Sequence, residues 1–200
     1  GSETVKCYLA AQMELEMAME SLIRQLEEAG IADDTVIVIS PDHYPYALER
    51  SATWGNAENY LTELYGVTEM DRFTRDSNAL IIWSGCLEDK NLKVETPVYS
   101  LDILPTLSNL FGLNYDSRLL VGRDVFSDTE PLVLWPEYSW KTDKGTYDSG
   151  SRTFTPAEGV EVDDSYVDRI KAIVSNKISY SREVQNLKYF QVLSDFLNGK

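Results

Sequence analysis

The two side chains best suited to chemistry in this 200-residue chain are neighbours, Asp42 and His43, and His43 is the only histidine. A carboxylate and an imidazole are both strong ligands for a divalent ion such as Mn²⁺, Mg²⁺ or Zn²⁺. Any Ser-His-Asp or Cys-His relay would also have to use His43. Neighbouring residues on a regular strand point to opposite faces and cannot share an ion, whereas in a loop they can converge. On spacing alone two readings stay open: a ligand pair, or two residues that satisfy loop amides and carbonyls. A pair is also too few, because a catalytic zinc site takes about three protein ligands. No GxSxG elbow, P-loop or GxGxxG run is present, which removes the usual hydrolase, nucleotide and dinucleotide signatures. Cys7 and Cys86 have no CxxC or CxxH neighbour. They are expected to be free thiols acting as small hydrophobes, with one disulfide as the alternative.

The pair must be held by the elements around it. Val36-Ile37-Val38-Ile39 is a run of β-branched residues without alternation, expected to be a strand buried on both faces in a parallel sheet covered by helices. Asp42 and His43 follow its carboxyl end, the edge where open α/β sheets bind ligands. Ahead of it, Tyr8, Ala11, Leu15, Ala18, Leu22 and Leu26 recur at helical spacing and Gly30 supplies a stop. This predicts a helix over 8–29 with one buried side. Further on, a helix is expected near 56–65 and a second buried strand at 79–83. Next come a helix opened by Ser100 or Asp102 and ended by Gly112, and a strand at 132–135. A β-hairpin region at 140–155 and helices at 164–175 and from Ser181 to Leu197 complete the order. Helix and strand in this order make an α/β sandwich.

Composition narrows the partners. The balance of 18 Lys and Arg against 33 Asp and Glu gives a net charge of −15, so phosphate backbones are repelled and nucleic acid is not an expected partner. No run of about 18 apolar residues offers a membrane-crossing helix. The opening Gly1-Ser2-Glu3 has neither the basic nor the apolar region of a signal peptide, and the chain is expected to be a piece of a longer protein.

Three segments carry a family resemblance. The stretch from Thr35 to His43 resembles the strand-plus-Asp-His segment of the alkaline phosphatase/sulfatase superfamily. Tyr44-Pro45-Tyr46 resembles a variant of lipoteichoic acid synthase-like proteins. Tyr99 to Leu107, followed by Leu110-Phe111-Gly112-Leu113, is similar to a D-hydrophobic-x-P-T-L…L-x-G segment of sulfatases. Gly122 to Ser127 is similar to the G-x-D-hydrophobic-hydrophobic-S segment after it. The segments fall in the family's order, and the resemblance extends from about Leu9 to Leu197.

The resemblance implies a partial alkaline-phosphatase-like sandwich, a mostly parallel sheet flanked by helices, with a small β-hairpin region near the C-terminal part. It implies that residues 1–200 form a single domain, the C-terminal fragment of a larger catalytic domain. Asp42 and His43 would then be metal ligands for Mn, or alternatively Mg, Zn or Ca. The nucleophilic Thr, the first acidic ligand and further histidines of the family lie upstream, so no catalytic residue is assigned within the chain and the fragment is expected to be inactive. The implied parent is a phosphoglycerol transferase acting on an anionic cell-envelope polymer or lipid at the extracellular face of the membrane. Its partners would be the missing N-terminal half and a phosphate- or sulfate-ester substrate, with self-association of the fragment through an open sheet edge. Two alternatives remain: a sulfatase or phosphodiesterase of the same superfamily, and a non-catalytic α/β binding module. Pro41 stands where many relatives have Gly. Asp102 is read as a helix cap rather than a ligand, and Arg50, Arg123 and Trp83 as packing or surface residues.

Overall fold

The computed structural model describes residues 1–49, 60–90 and 92–199. They form two compact units, Gly1–Leu92 and Lys93–Lys200, each of mixed helix and strand.

In the first unit, α1 (Glu3–Glu28) begins where the Ser2 hydroxyl accepts the Val5 amide at 3.3 Å. It ends before Gly30, whose φ of +69° is the left-handed stop the sequence pattern asks for. The apolar stripe is only partly covered: Val5 is buried and Leu26 half-buried, while Leu15 stays 55% exposed. Strand β1 (Ile37–Ile39) pairs with β2 (Ile81–Trp83), with Val38 opposite Ile82. The pairing is antiparallel, and neither strand is covered on both faces: β1 is half-buried, and in β2 Ile81 is exposed while Ile82 and Trp83 are half-buried. The parallel sheet expected from the β-branched run is therefore not what the described strands form. Such a run reports a preference for extended, buried backbone, not strand direction. The link between β1 and β2 is also long enough for either a crossover or a reversal. Between the strands lie α2 (Tyr60–Tyr65), which packs on α1, and the short α3 (Arg72–Arg75). The expected helix near 56–65 is seen from Tyr60, and residues 56–59 lie outside the described residues.

In the second unit, a single turn at Ser100–Asp102 leads into α4 (Ile103–Leu110), and Gly112 ends it at φ +63°. Strands β3 (Val133–Leu134), β4 (Trp140–Thr142), β5 (Gly145–Asp148) and β6 (Thr153–Pro156) form an antiparallel meander in that order. The expected hairpin region is thus a four-stranded sheet. Its alternation places Trp140, Thr142, Gly145 and Tyr147 on the buried face. There Trp140 stacks on Tyr147 at 5.5 Å and meets the Tyr166 ring edge-on at 6.2 Å. Tyr166, Ile170 and Val174, at helical spacing on α5 (Tyr166–Asn186), close the core. The break expected at Ser181 is absent, because nothing from 176 to 186 interrupts a helix and an interior Ser is tolerated. The chain turns instead at Lys188, left-handed at φ +49°, before α6 (Tyr189–Leu197).

Residue pairs across β5 and β6 run from Gly145–Pro156 to Asp148–Thr153, and the Ala157 amide donates to the Lys144 carbonyl at 2.9 Å. Alternation from that bond turns the backbone polar groups of Thr153 and Thr155 toward β5, and those of Phe154 and Pro156 away from it. Among the described residues no helix is long and apolar enough to cross a membrane.

Candidate metal centre

Asp42 and His43 lie in the loop after β1, where the backbone has left the strand, and their side chains converge. His43 Nε2 stands 3.3 Å from Asp42 Oδ2, with the two side chains 51% and 86% exposed. On the other side of the ring, His43 Nδ1 lies 2.8 Å from the Tyr44 carbonyl oxygen. A carbonyl has no proton to give, so this contact is a hydrogen bond only when Nδ1 carries the proton. When Nδ1 alone carries the proton, Nε2 is an acceptor facing a carboxylate, an arrangement that either a second ring proton or a bound cation relieves.

The separation suits a shared ion. Two atoms each about 2.1 Å from one ion, at angles of about 90° to 109°, lie roughly 3.0–3.4 Å apart. A ring N–H donated to a backbone carbonyl is also the usual way a ligating histidine is oriented. Donor types and geometry therefore both fit a divalent ion. Among the described residues, however, no group of three or more His, Cys, Asp or Glu side chains comes together, so the pair supplies only part of a coordination shell.

The loop is braced from within the first unit. The Tyr44 hydroxyl donates to Glu49 Oε2, and that carboxylate raises the pKa of the hydroxyl. The Arg75 guanidinium lies over the Tyr44 ring at 4.4 Å, reaches Glu49 at 3.7 Å and bonds Asp76 at 2.8 Å. Arg75 is held in turn by its backbone: Asp71 caps α3 through the Phe73 and Thr74 amides, and the Tyr65 hydroxyl donates to the Arg75 carbonyl at 3.2 Å. The His43 ring also leans on Tyr46, with centroids 4.7 Å apart. Sequence reasoning missed Glu49 and Arg75, because nothing in the order of residues ties position 75 to position 44.

The two downstream motif segments meet in the second unit. Asp102 is 1% exposed, and its carboxylate accepts the Arg123 amide at 2.8 Å and the Tyr99 amide at 3.2 Å. It is a backbone anchor: as N-cap of α4 its side chain bonds none of that helix's amides, and the cap reading holds only for the preceding turn, where it accepts the Tyr99 amide in a capping box. The Thr106 hydroxyl donates to the Asp102 carbonyl at 2.6 Å and accepts the Val125 amide at 3.1 Å. Gly122 packs so closely that a Cβ would lie 2.0 Å from the Leu101 carbonyl oxygen. The Lys177 ammonium donates to the Val121 carbonyl at 2.7 Å, and burial lowers its pKa. The Arg123 guanidinium bonds Thr96 at 3.1 Å, a packing role, and Trp83 lies half-buried in β2. Arg50 lies outside the described residues. Cys7 and Cys86 are free thiols, both exposed rather than packed as small hydrophobes.

Comparison with known proteins places these observations. The sulfatase family model matches residues 2–113. The chain is similar to lipoteichoic acid synthase of Staphylococcus saprophyticus, 27% identical over 139 residues that cover 66% of this chain and 20% of that protein. It is similar to lipoteichoic acid synthase 2 of Bacillus subtilis, 24% identical over 192 residues, 93% of this chain and 28% of that protein. Lipoteichoic acid synthase 1 of the same organism is 26% identical over 203 residues, 98% of this chain and 30% of that protein. The chain thus spans between 20% and 30% of the length of these relatives.

Proposed function

The chain belongs to the sulfatase family, and from that premise we propose that it is the C-terminal part of the catalytic domain of a metal-dependent phosphoglycerol transferase. The transferase would act on an anionic polymer or lipid of the cell envelope, at the outer face of the membrane. The observation that carries this reading is the facing pair, His43 Nε2 and Asp42 Oδ2 at 3.3 Å, with the opposite ring nitrogen tied to a backbone carbonyl. Similarity to three lipoteichoic acid synthases favours transfer over hydrolysis. A sulfatase or phosphodiesterase of the same superfamily stays as the second reading, because the matching family model is that of sulfatases.

A divalent ion bound here, Mn²⁺ or a similar one, supplies positive charge that activates a hydroxyl nucleophile and neutralises the phosphate ester. Asp42 contributes the negative charge that offsets the ion, and His43 contributes a neutral nitrogen donor. The Tyr44 carbonyl keeps the proton on Nδ1 so that Nε2 stays free to ligate. The remaining ligands and the nucleophile belong to the rest of the catalytic domain, which is the partner this chain needs. Exposed apolar side chains support that need: Leu9, Met13 and Met17 on α1 are 47–61% exposed, and Val192, Phe196 and Leu197 on α6 are 60–77% exposed.

Two measurements test the proposal. The 200-residue chain should show no turnover of a glycerol-phosphate ester with Mn²⁺ present, and a rate that disappears in Asp42→Ala would refute its inactivity. The imidazole signals of the single histidine should broaden on adding Mn²⁺ and should stay sharp in Asp42→Ala. Signals that stay sharp in the unaltered chain would remove the metal reading.

A further inference from the structure

We propose that Arg75, Glu49 and the Tyr44 side chain form a positioning brace that sets the His43 tautomer and so keeps Nε2 available for an ion. The proposal rests on the metal reading of Asp42 and His43 and extends it to residues that touch neither ligand atom.

A neutral imidazole has one ring proton and two claimants for it. Asp42 Oδ2, 3.3 Å from Nε2, favours the proton there, and so does the ordinary preference of imidazole in water. The Tyr44 carbonyl, 2.8 Å from Nδ1, favours the other nitrogen. The shorter contact wins only while the Tyr44 backbone stays where it is. That backbone sits in an exposed loop and takes part in no strand. Two holds keep it there: the Tyr46 amide donates to the same carbonyl at 2.7 Å, and the Tyr44 side chain adds a second through the hydroxyl on Glu49, the ring under Arg75, and the Arg75–Glu49 contact that closes the triangle. Arg75 can act as the fixed point because its own carbonyl is tied to Tyr65 and its Nε to Asp76. The sequence 65, 75, 44, 43 is therefore a continuous path of contacts from a helix to the candidate ligand.

The test uses the chain's single histidine. In ¹⁵N spectra of the metal-free chain, recorded where the imidazole carries one proton, Nδ1–H should dominate. In Arg75→Ala and in Tyr44→Phe the ratio should move toward Nε2–H by about fivefold, roughly the worth of one ordinary hydrogen bond. Arg75→Lys retains a cation over the ring and should recover the ratio to within about twofold. Far-UV circular dichroism and melting temperature identify a variant that has lost its fold, a loss that a merely structural role would produce without a tautomer change in folded protein. The Mn²⁺ concentration that half-broadens the His43 signals should rise about tenfold in Tyr44→Phe. A dominant Nε2–H form in the unaltered chain, or a ratio unmoved in both folded variants, overturns the brace. Absence of any Mn²⁺ effect in the unaltered chain overturns the metal reading instead, and the tautomer ratios then judge the brace alone.

Discussion

Replacing Asp102 by Ala removes one carboxylate and leaves two amides, Tyr99 N–H and Arg123 N–H, without their acceptor in a place that is 1% exposed. Each buried donor left unpaired costs roughly 1–3 kcal/mol, so the second unit should lose about 2–5 kcal/mol. At a urea dependence of about 2 kcal/mol per molar, the midpoint should fall by roughly 1–2.5 M. Asp102→Asn keeps one acceptor oxygen and should lose about half as much. Hydrogen exchange localises the effect: the Arg123 and Tyr99 amides should lose protection first, while the α5 amides at Ile170 and Val174 keep theirs.

The carboxyl also has a pH signature. Burial is the largest influence on it and raises its pKa from 3.8, against the opposing pull of the Arg123 and Tyr99 amides. With the folded value above the unfolded one, the folded chain binds the proton first as pH falls. Stability from this group therefore grows on the way down through the window just above 3.8 and is lost as pH rises through the folded value. The advantage of the unaltered chain over Asp102→Asn should widen across that window in acid titrations followed by urea melts. An Arg123 amide that stays protected in Asp102→Ala, or a loss below about 1 kcal/mol, would refute the anchor argument.

Gly122→Ala drives a Cβ into the Leu101 carbonyl and should cost about 1–3 kcal/mol, less than additively with Asp102→Ala because both disturb one contact. Trp140→Ala empties the aromatic core and should cost about 3–5 kcal/mol in urea melts, a loss under 1 kcal/mol refuting the core assignment. Lys177→Met should abolish the rise in stability that the lowered Lys177 pKa produces as pH climbs toward 10.5, seen as a flattened pH profile of the urea midpoint. Lys188→Gly relieves a left-handed non-glycine residue and should raise the melting temperature slightly, with no change in helix content by circular dichroism.

Local signals were legible where one residue decides one feature. Gly30 and Gly112 end their helices at positive φ as their positions suggest, whereas Asp102, expected to cap α4, instead ties the Tyr99 and Arg123 amides. The facing of Asp42 and His43 was open in the sequence, because it depends on the chain leaving the strand before residue 42. Strand direction was not legible, since a hydrophobic run of Val36 to Ile39 fits either direction and the long link to β2 permits both. The Arg75–Tyr44 contact and the turn at Lys188 were hidden for a related reason: each depends on tertiary placement that no nearby residue type announces.

The β6 strand carries a consequence for how copies of the chain can meet. Its outer rim presents two carbonyl oxygens, from Phe154 and Pro156, but only one N–H, because Pro156 has none to offer. A second strand docking there would gain one hydrogen bond from its carbonyls and forfeit the next, so Pro156 weakens strand pairing between molecules along that rim.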